Sequence, residues 1–157
     1  MTFSRKDGKS LTQSLAEAFK AVEQRVKRVL VADDNEITVA LISEMIRREF
    51  YGEAVPVASN KRILEMLEEC DPFDAVILDY SLLNGPSIST YRAIKERWKD
   101  AKVVFLTGYD SPEVREKIEA VGTARVHSKA AMTDLRFMRE LLAEVGLRKR
   151  VMSADGI

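Results

Sequence analysis

Short apolar runs rich in β-branched residues alternate with amphipathic segments along most of this chain, and this alternation restricts the fold more than any other feature. The five runs occupy residues 29–32, 54–57, 75–78, 103–106 and 124–127. The first four runs are unbroken rather than alternately apolar and polar, which indicates strands buried on both faces, as in a parallel sheet, and the fifth run is the weakest of the set. Pro56 cannot donate a backbone hydrogen bond, so we expect the second strand at an edge.

The segments between the runs carry apolar residues at helical spacing, as in Ile37, Leu41 and Met45. Five strand–helix units in about 120 residues predict a doubly wound α/β fold of the flavodoxin-like type. The expected architecture is a five-stranded parallel sheet with strand order 2-1-3-4-5. In such a sheet, reactive groups gather beyond the carboxyl ends of the strands.

Residues 10–26 precede this alternation and predict an extra N-terminal helix. Ser10 and Gln13 form a capping-box pair, and one apolar stripe follows them. The stripe contains Leu11, Leu15, Ala18, Phe19, Val22 and Val26. We therefore expect an N-terminal extension over 1–26, a single domain over 27–147 and a C-terminal tail over 148–157.

Composition excludes several functional classes. Lys plus Arg and Asp plus Glu are balanced at 25 each, so the chain as a whole has no electrostatic preference for DNA or anionic membranes. Cys70 is the single cysteine, which rules out an internal disulfide framework. No signal peptide and no run of about 20 apolar residues is present. These features predict a cytoplasmic protein that binds neither DNA nor a membrane.

Unusual polar residues follow the predicted strands at one edge of the sheet. Asp33 and Asp34 follow the first run, Asp79 follows the third, Thr107 ends the fourth and Lys129 comes just after the fifth. Each of these residues alone is of a type that is common in turns or on the surface. The strand order, however, places the ends of strands 1, 3, 4 and 5 side by side around one crevice.

Three neighbouring carboxylates repel one another and need positive charge close by. A hard oxygen ligand set favours Mg²⁺, while Lys129 supplies a second cation and Thr107 a hydroxyl donor. This combination of carboxylates, metal ion, lysine and hydroxyl suits phosphoryl transfer, which depends mainly on positioning and on charge neutralisation. The expected product is an aspartyl phosphate.

In their order, these motifs resemble the receiver domains of bacterial two-component response regulators, over roughly residues 27–147. The resemblance implies that Asp79 is the phosphoacceptor, that Thr107 is the switch hydroxyl and that Lys129 is the conserved-type lysine. It further implies that Asp34 binds Mg²⁺ directly, that Asp33 acts through water and that the backbone carbonyl of Ser81 completes the metal site. A histidine kinase or histidine phosphotransfer protein would be the donor, and the chain would catalyse only its own phosphorylation and dephosphorylation.

Three departures from the family pattern affect the loop and the switch. The loop after Asp79 reaches Gly85 about two residues early and lacks the usual proline. Lys129 is followed by Ala130 instead of proline, so a cis bond there would cost roughly 2.5–4 kcal/mol. Val126 occupies the position, three before the lysine, that usually carries an aromatic ring.

Only ten residues follow Leu147, too few for a DNA-binding helix-turn-helix module. The expected output is therefore a protein contact or onward phosphotransfer, through the face built from the fourth helix, fifth strand and fifth helix of the domain. An unknown downstream protein would be the partner.

Two alternatives stay open: a pseudo-receiver that works without phosphorylation, and a hydrolase of the haloacid-dehalogenase type. The hydrolase class has a second Asp at the position of Ser81.

Two further interpretations concern single features. Tyr109 either shields the acyl phosphate from water or is a simple surface ring. The stripe of the N-terminal helix approximates an a/d spacing, which favours a homodimer through this helix.

Overall fold

A five-stranded parallel sheet forms the centre of the protein in the computed structural model, which describes residues 8–23, 25–108 and 110–151, without the side chains of 21–23. The order of the strands in the sheet is β2-β1-β3-β6-β7. These strands are β1 (Lys27–Ala32), β2 (Gly52–Val57), β3 (Ala75–Leu78), β6 (Lys102–Thr107) and β7 (Arg125–Ser128). The predicted parallel sheet and its 2-1-3-4-5 order are confirmed.

Helices cover both faces of this sheet, as the unbroken apolar runs predicted. The helices are α1 (Leu11–Glu23), α2 (Glu36–Glu49), α3 (Asn60–Glu69), α4 (Ile88–Arg97), α5 (Pro112–Glu119) and α6 (Leu135–Glu144). A short 3₁₀ helix, Lys129–Thr133, lies between β7 and α6. Helices α3, α4 and α5 pack on one face of the sheet, and α2 and α6 pack on the other.

The strand side chains alternate between these two cores. In β1, Leu30 packs with the α3–α5 side, whereas Val29 and Val31 pack with α2 and α6. Strand β2 is at the edge of the sheet, where Pro56 lies opposite Val31. The edge position of this proline is therefore confirmed.

The extra N-terminal helix is also confirmed, and it begins with the predicted capping box. The Gln13 backbone N–H donates to Ser10 Oγ at 3.1 Å, and the Ser10 N–H donates to Gln13 Oε1 at 2.9 Å. The apolar stripe of α1 is open to solvent: Leu11, Leu15 and Phe19 are 61%, 55% and 73% exposed. The side chain of Val22 lies outside the described residues.

A small antiparallel hairpin follows β3, and sequence analysis did not predict it. Its strands are β4 (Ser81–Leu82) and β5 (Gly85–Pro86), joined by Leu83 and Asn84. Gly85 has a φ of +98°, a conformation that glycine adopts without steric penalty. The loop after Asp79, read from sequence only as shortened, is therefore an ordered tight turn.

The chain beyond Leu147 continues along the body of the domain. The Tyr51 N–H donates to the Arg148 carbonyl at 2.9 Å, and the Arg150 N–H donates to the Glu49 carbonyl at 2.8 Å. The domain boundary at residue 147 stays a prediction. Among the described residues, none of the helices is long and apolar enough to cross a membrane.

The orientation of α2 gives a test of the core. Ile46 is fully buried in the core on the α2 and α6 side of the sheet, whereas Leu41 on the same helix is exposed. We expect Ile46→Ala to lower the free energy of unfolding by about 2–5 kcal/mol, because it removes buried methyl groups and leaves a cavity. The matched substitution Leu41→Ala should change it by about 0.5 kcal/mol or less. Urea denaturation measures both, and equal losses would contradict the described orientation of α2.

Candidate functional site

The carboxyl ends of the central strands bring most of the predicted site residues together. Asp79 follows β3 directly, and its backbone N–H donates to the carbonyl of Ala32 at the end of β1, at 2.9 Å. Asp33 comes next after Ala32, and both carboxylate side chains are buried. The topology of the sheet therefore sets the phosphoacceptor candidate beside the acidic pair.

Lys129 bridges the two buried carboxylates. Its Nζ lies 2.6 Å from Asp33 Oδ2 and 2.8 Å from Asp79 Oδ2. Lys129 opens the 3₁₀ helix, where the Ser128 hydroxyl accepts a hydrogen bond from the Ala130 N–H at 3.1 Å. This local turn directs the lysine from the end of β7 towards the ends of β1 and β3.

One lysine does not fully balance these charges. Burial raises the pKa of the Asp33 carboxyl and the Asp79 charge adds to this, while the hydrogen bonds from Lys129 and Asn35 oppose it in part. For Lys129, burial alone would lower the pKa, but the hydrogen bonds to Asp33 and Asp79 outweigh it and the pKa is raised. The lysine therefore stays charged, and the site retains an excess of negative charge.

Asp34 gives this site a third carboxylate and an opening to solvent. Oxygen atoms of Asp33, Asp34 and Asp79 all lie within 4.8 Å of one another. Asp34 is exposed, whereas the second oxygen of Asp33 accepts the Asn35 N–H at 2.8 Å. Three clustered hard oxygen donors with surplus negative charge fit a divalent cation.

Ser81 and Thr107 complete the set of predicted residues at this edge. The Ser81 N–H donates to Asp79 Oδ1 over a long 3.4 Å, so the hairpin begins in contact with the candidate nucleophile. Thr107 ends β6 and is completely buried, opposite Ser128 in the register of the sheet. It therefore lies at the same edge as the carboxylates.

The structure shows the local conformation at two of the positions where the sequence departs from the family pattern, Ala130 and Val126. The described residues contain no cis peptide bond, so the bond between Lys129 and Ala130 is trans. Val126 is half-buried and packs with the core on the α3–α5 side. Tyr109, for which two roles were open, lies outside the described residues.

Sequence reasoning missed three buried polar residues that surround the hairpin: Asn60, Ser87 and Thr90. Ser87 and Thr90 have a spacing of three at the start of α4, and Asn60 is the first residue of α3. Polar residues at helix starts are usually capping residues, so their pattern in the sequence gave no separate signal.

Comparisons with known proteins agree with this geometry. A family model for the response regulator receiver domain matches residues 29–140. The fold is similar to a phosphorylated cyanobacterial phytochrome response regulator, RcpA, with a TM-score of 0.70 and 17% identity, covering 76% of this chain and 94% of that one. The Mn²⁺-bound form of the response regulator Rcp1 gives a TM-score of 0.68 and 17% identity, covering 82% and 99%.

A response regulator from Burkholderia pseudomallei, solved with a phosphorylated aspartic acid, a calcium ion and citrate, has a TM-score of 0.61 and 22% identity, covering 76% and 73% of the two chains. At such identities the structural likeness establishes the fold, and the family model establishes the family. The match over most of the chain, together with an acidic edge that gathers Asp33, Asp34, Asp79 and Lys129, shows that this protein belongs to the response regulator receiver domains of two-component signalling.

Proposed function

We propose that this protein is a phosphorylation-dependent signalling switch that accepts a phosphoryl group on Asp79. The donor is a histidine kinase or a histidine phosphotransfer protein. The observation that carries the proposal is the ion pair between Asp79 and Lys129, at 2.8 Å, within the cluster of three carboxylates. The family is one of signalling phosphoacceptors, and we propose no reaction beyond this protein's own phosphorylation and dephosphorylation.

In the proposed transfer, an oxygen of the Asp79 carboxylate attacks the phosphorus atom. A new O–P bond forms as the bond from phosphorus to the donor breaks, and the donor group leaves with that bonding pair. Lys129 ion-pairs with the carboxylate before the transfer and neutralises charge on the phosphoryl oxygens during it. The Thr107 hydroxyl is assigned to a phosphoryl oxygen of the product.

The residues that would hold the metal are Asp33, Asp34, Asp79 and the backbone carbonyl of Ser81. A bound Mg²⁺ supplies positive charge to the phosphoryl oxygens and to the three carboxylates. We assign the direct contact to Asp34 and a contact through water to Asp33. This division is supported by the side chains: Asp33 already binds Lys129 and the Asn35 N–H, and Asp34 is exposed.

A pseudo-receiver that acts without phosphorylation is the alternative function. Val126 favours it, because this residue has no aromatic ring that could reorient with Thr107. The Lys129 bridge opposes it, since a half-buried lysine whose ammonium pairs with two buried carboxylates provides the charge that phosphoryl transfer needs. The output surface assigned from the family corresponds here to α5, β7 and α6, and its contact is with a downstream protein, with neither DNA nor a membrane. A cytoplasmic location stays a prediction.

We also propose that α1 pairs with the α1 helix of a second copy. A helix of 13 residues is marginal alone in water, so it needs a surface to pack against. Both faces of the sheet are already covered by other helices, and the side chains of Leu11, Leu15 and Phe19 are exposed. The a/d spacing of the stripe suits pairing with an identical helix.

Phosphorylation can be tested with a small-molecule donor. With acetyl phosphate and Mg²⁺, intact mass spectrometry should show one added phosphoryl group, and Asp79→Asn should abolish it because the nucleophile is gone. Asp71→Asn, at an exposed aspartate, is the control and should label like wild type. Labelling of Asp79→Asn would overturn the assignment. If neither acetyl phosphate nor a histidine kinase phosphorylates the wild-type protein, the pseudo-receiver is favoured.

The metal assignment predicts unequal effects of two neighbouring carboxylates. We expect Asp34→Asn to weaken Mg²⁺ binding at least about tenfold, and Asp33→Asn to weaken it less, because Asp33 acts through water. Titration with Mg²⁺ followed by the intrinsic fluorescence of the protein measures both. Glu36→Gln removes a nearby exposed charge and should have little effect. Equal losses in the two aspartate variants would contradict this division of roles.

Sedimentation velocity of the full chain tests the pairing of α1. Wild type should form dimers at tens of micromolar, and Leu15→Glu should give monomers because it buries a charge in the apolar seam. Gln13→Glu adds the same charge outside the stripe and preserves the capping box, so this control should remain dimeric. A monomeric wild type would contradict the dimer.

A further inference from the structure

Three buried polar side chains lie around the hairpin that follows Asp79. Asn60, Ser87 and Thr90 are 7%, 0% and 2% exposed. Burying a polar group is unfavourable unless it is hydrogen-bonded, so residues of this kind persist where their bonds hold something in place. Asn60 and Thr90 hold the hairpin, and Ser87 forms a hydrogen bond to the backbone of Asp79, the proposed phosphoacceptor.

Ser87 occupies the N-cap position of α4, but its side chain does not cap the helix. Its hydroxyl instead donates to the backbone carbonyl of Asp79 at 2.6 Å, and its N–H donates to the Tyr80 carbonyl at 2.8 Å. A serine at this position would ordinarily satisfy a free N–H of the first helical turn. Here its hydroxyl ties the start of α4 to the residue that carries the nucleophile.

Asn60 and Thr90 hold the second strand of the hairpin. Asn60 Nδ2 donates to the carbonyls of Gly85 and Pro86, at 2.9 and 3.3 Å, and its Oδ1 accepts the Thr90 hydroxyl at 2.6 Å. The amide of Asn60 is thus fully oriented, with its nitrogen towards the hairpin and its oxygen towards α4. These hydrogen bonds link α3, the backbone of the hairpin and α4.

The tip of the hairpin is attached on the same side. The Leu83 N–H donates to the Ala58 carbonyl at 3.2 Å, and Asn84 Oδ1 accepts the Lys61 N–H at 3.4 Å. Both contacts join the turn to the segment that leads from β2 into α3. Since Ser81 begins the hairpin and its N–H contacts Asp79 Oδ1, fixing the hairpin also fixes the backbone beside the carboxylate.

We propose that Ser87, Asn60 and Thr90 are positioning residues that hold the short loop after Asp79 in the geometry needed for metal binding and phosphoryl transfer. This inference rests on the proposed function and extends it to residues that touch neither metal nor phosphoryl group. The loop of this chain turns through Leu83 and Asn84 as a small hairpin. The three side chains hold this hairpin, and the backbone of Asp79 next to it, through buried hydrogen bonds.

Two substitutions remove these hydrogen bonds with little change in shape. Ser87→Ala loses the bond to the Asp79 carbonyl, and Thr90→Val loses the bond to Asn60 while keeping the side-chain volume. Each should weaken Mg²⁺ binding by about tenfold and slow phosphorylation by acetyl phosphate, as losses of supporting hydrogen bonds around metal ligands do. Hydrogen exchange of the metal-free variants should show less protection than wild type at the amides of positions 83 and 87, and unchanged protection at Val104 in the central sheet.

Two matched variants separate positioning from packing. Thr90→Ser keeps the hydroxyl but loses a methyl group, so it should bind Mg²⁺ within about threefold of wild type, whereas a pure packing role would make it worse than Thr90→Val. Ser89→Ala changes an exposed serine on the same helix and should have no effect.

The outcomes distinguish this inference from the proposed function. If wild type binds Mg²⁺ and accepts phosphate but folded Ser87→Ala and Thr90→Val do so equally well, the positioning role is wrong. If wild type neither binds Mg²⁺ nor accepts phosphate, the proposed function fails. The metal-free exchange experiment then tests the positioning role by itself, since undiminished protection of the amides at positions 83 and 87 in both variants would overturn it.

Discussion

The ammonium group of Lys129 makes contact with the carboxylates of Asp33 and Asp79, and the chemistry of the site depends on this bridge. Two buried carboxylates close together would repel each other and favour their neutral forms. One compact cation between them keeps the site organised, but three clustered carboxylates face this single positive charge. The unbalanced negative charge of these carboxylates, which include the exposed Asp34, is the physical basis for expecting a divalent cation.

This bridge exists because of the sheet. Asp33, Asp79 and Lys129 are distant in sequence, but β1 and β3 are neighbours, and their parallel direction brings both carboxyl ends to one edge. Burial on both faces fixes the register of the strands. A slip of one residue would move every side chain of a strand from the core on one face of the sheet to the core on the other. The core therefore specifies where the carboxylates lie, although it takes no part in the chemistry.

The departures from the family pattern are concentrated in the loop and the switch, while the carboxylates and the lysine are retained. The short loop folds as a hairpin, and buried polar side chains from α3 and α4 hold it. Val126, at the position where the resemblance implies an aromatic ring, is half-buried and packs with the core on the α3–α5 side. The site and the loop are thus connected to α3 and α4 by hydrogen bonds, in addition to the strand connections towards β7.

The sequence by itself determined the class of fold, the strand order, the edge position of Pro56 and the extra helix, because hydrophobic periodicity and strand-end chemistry are local signals. It also indicated which polar residues would meet, since parallel strands bring their carboxyl ends together. The bridging of two carboxylates by Lys129, the hairpin at Ser81–Leu82 and Gly85–Pro86, and the roles of Asn60, Ser87 and Thr90 were decided only by the tertiary structure. A serine at a helix start reads as a cap in any sequence. Whether its hydroxyl turns to its own helix or to the Asp79 carbonyl depends on which backbone the fold packs against it.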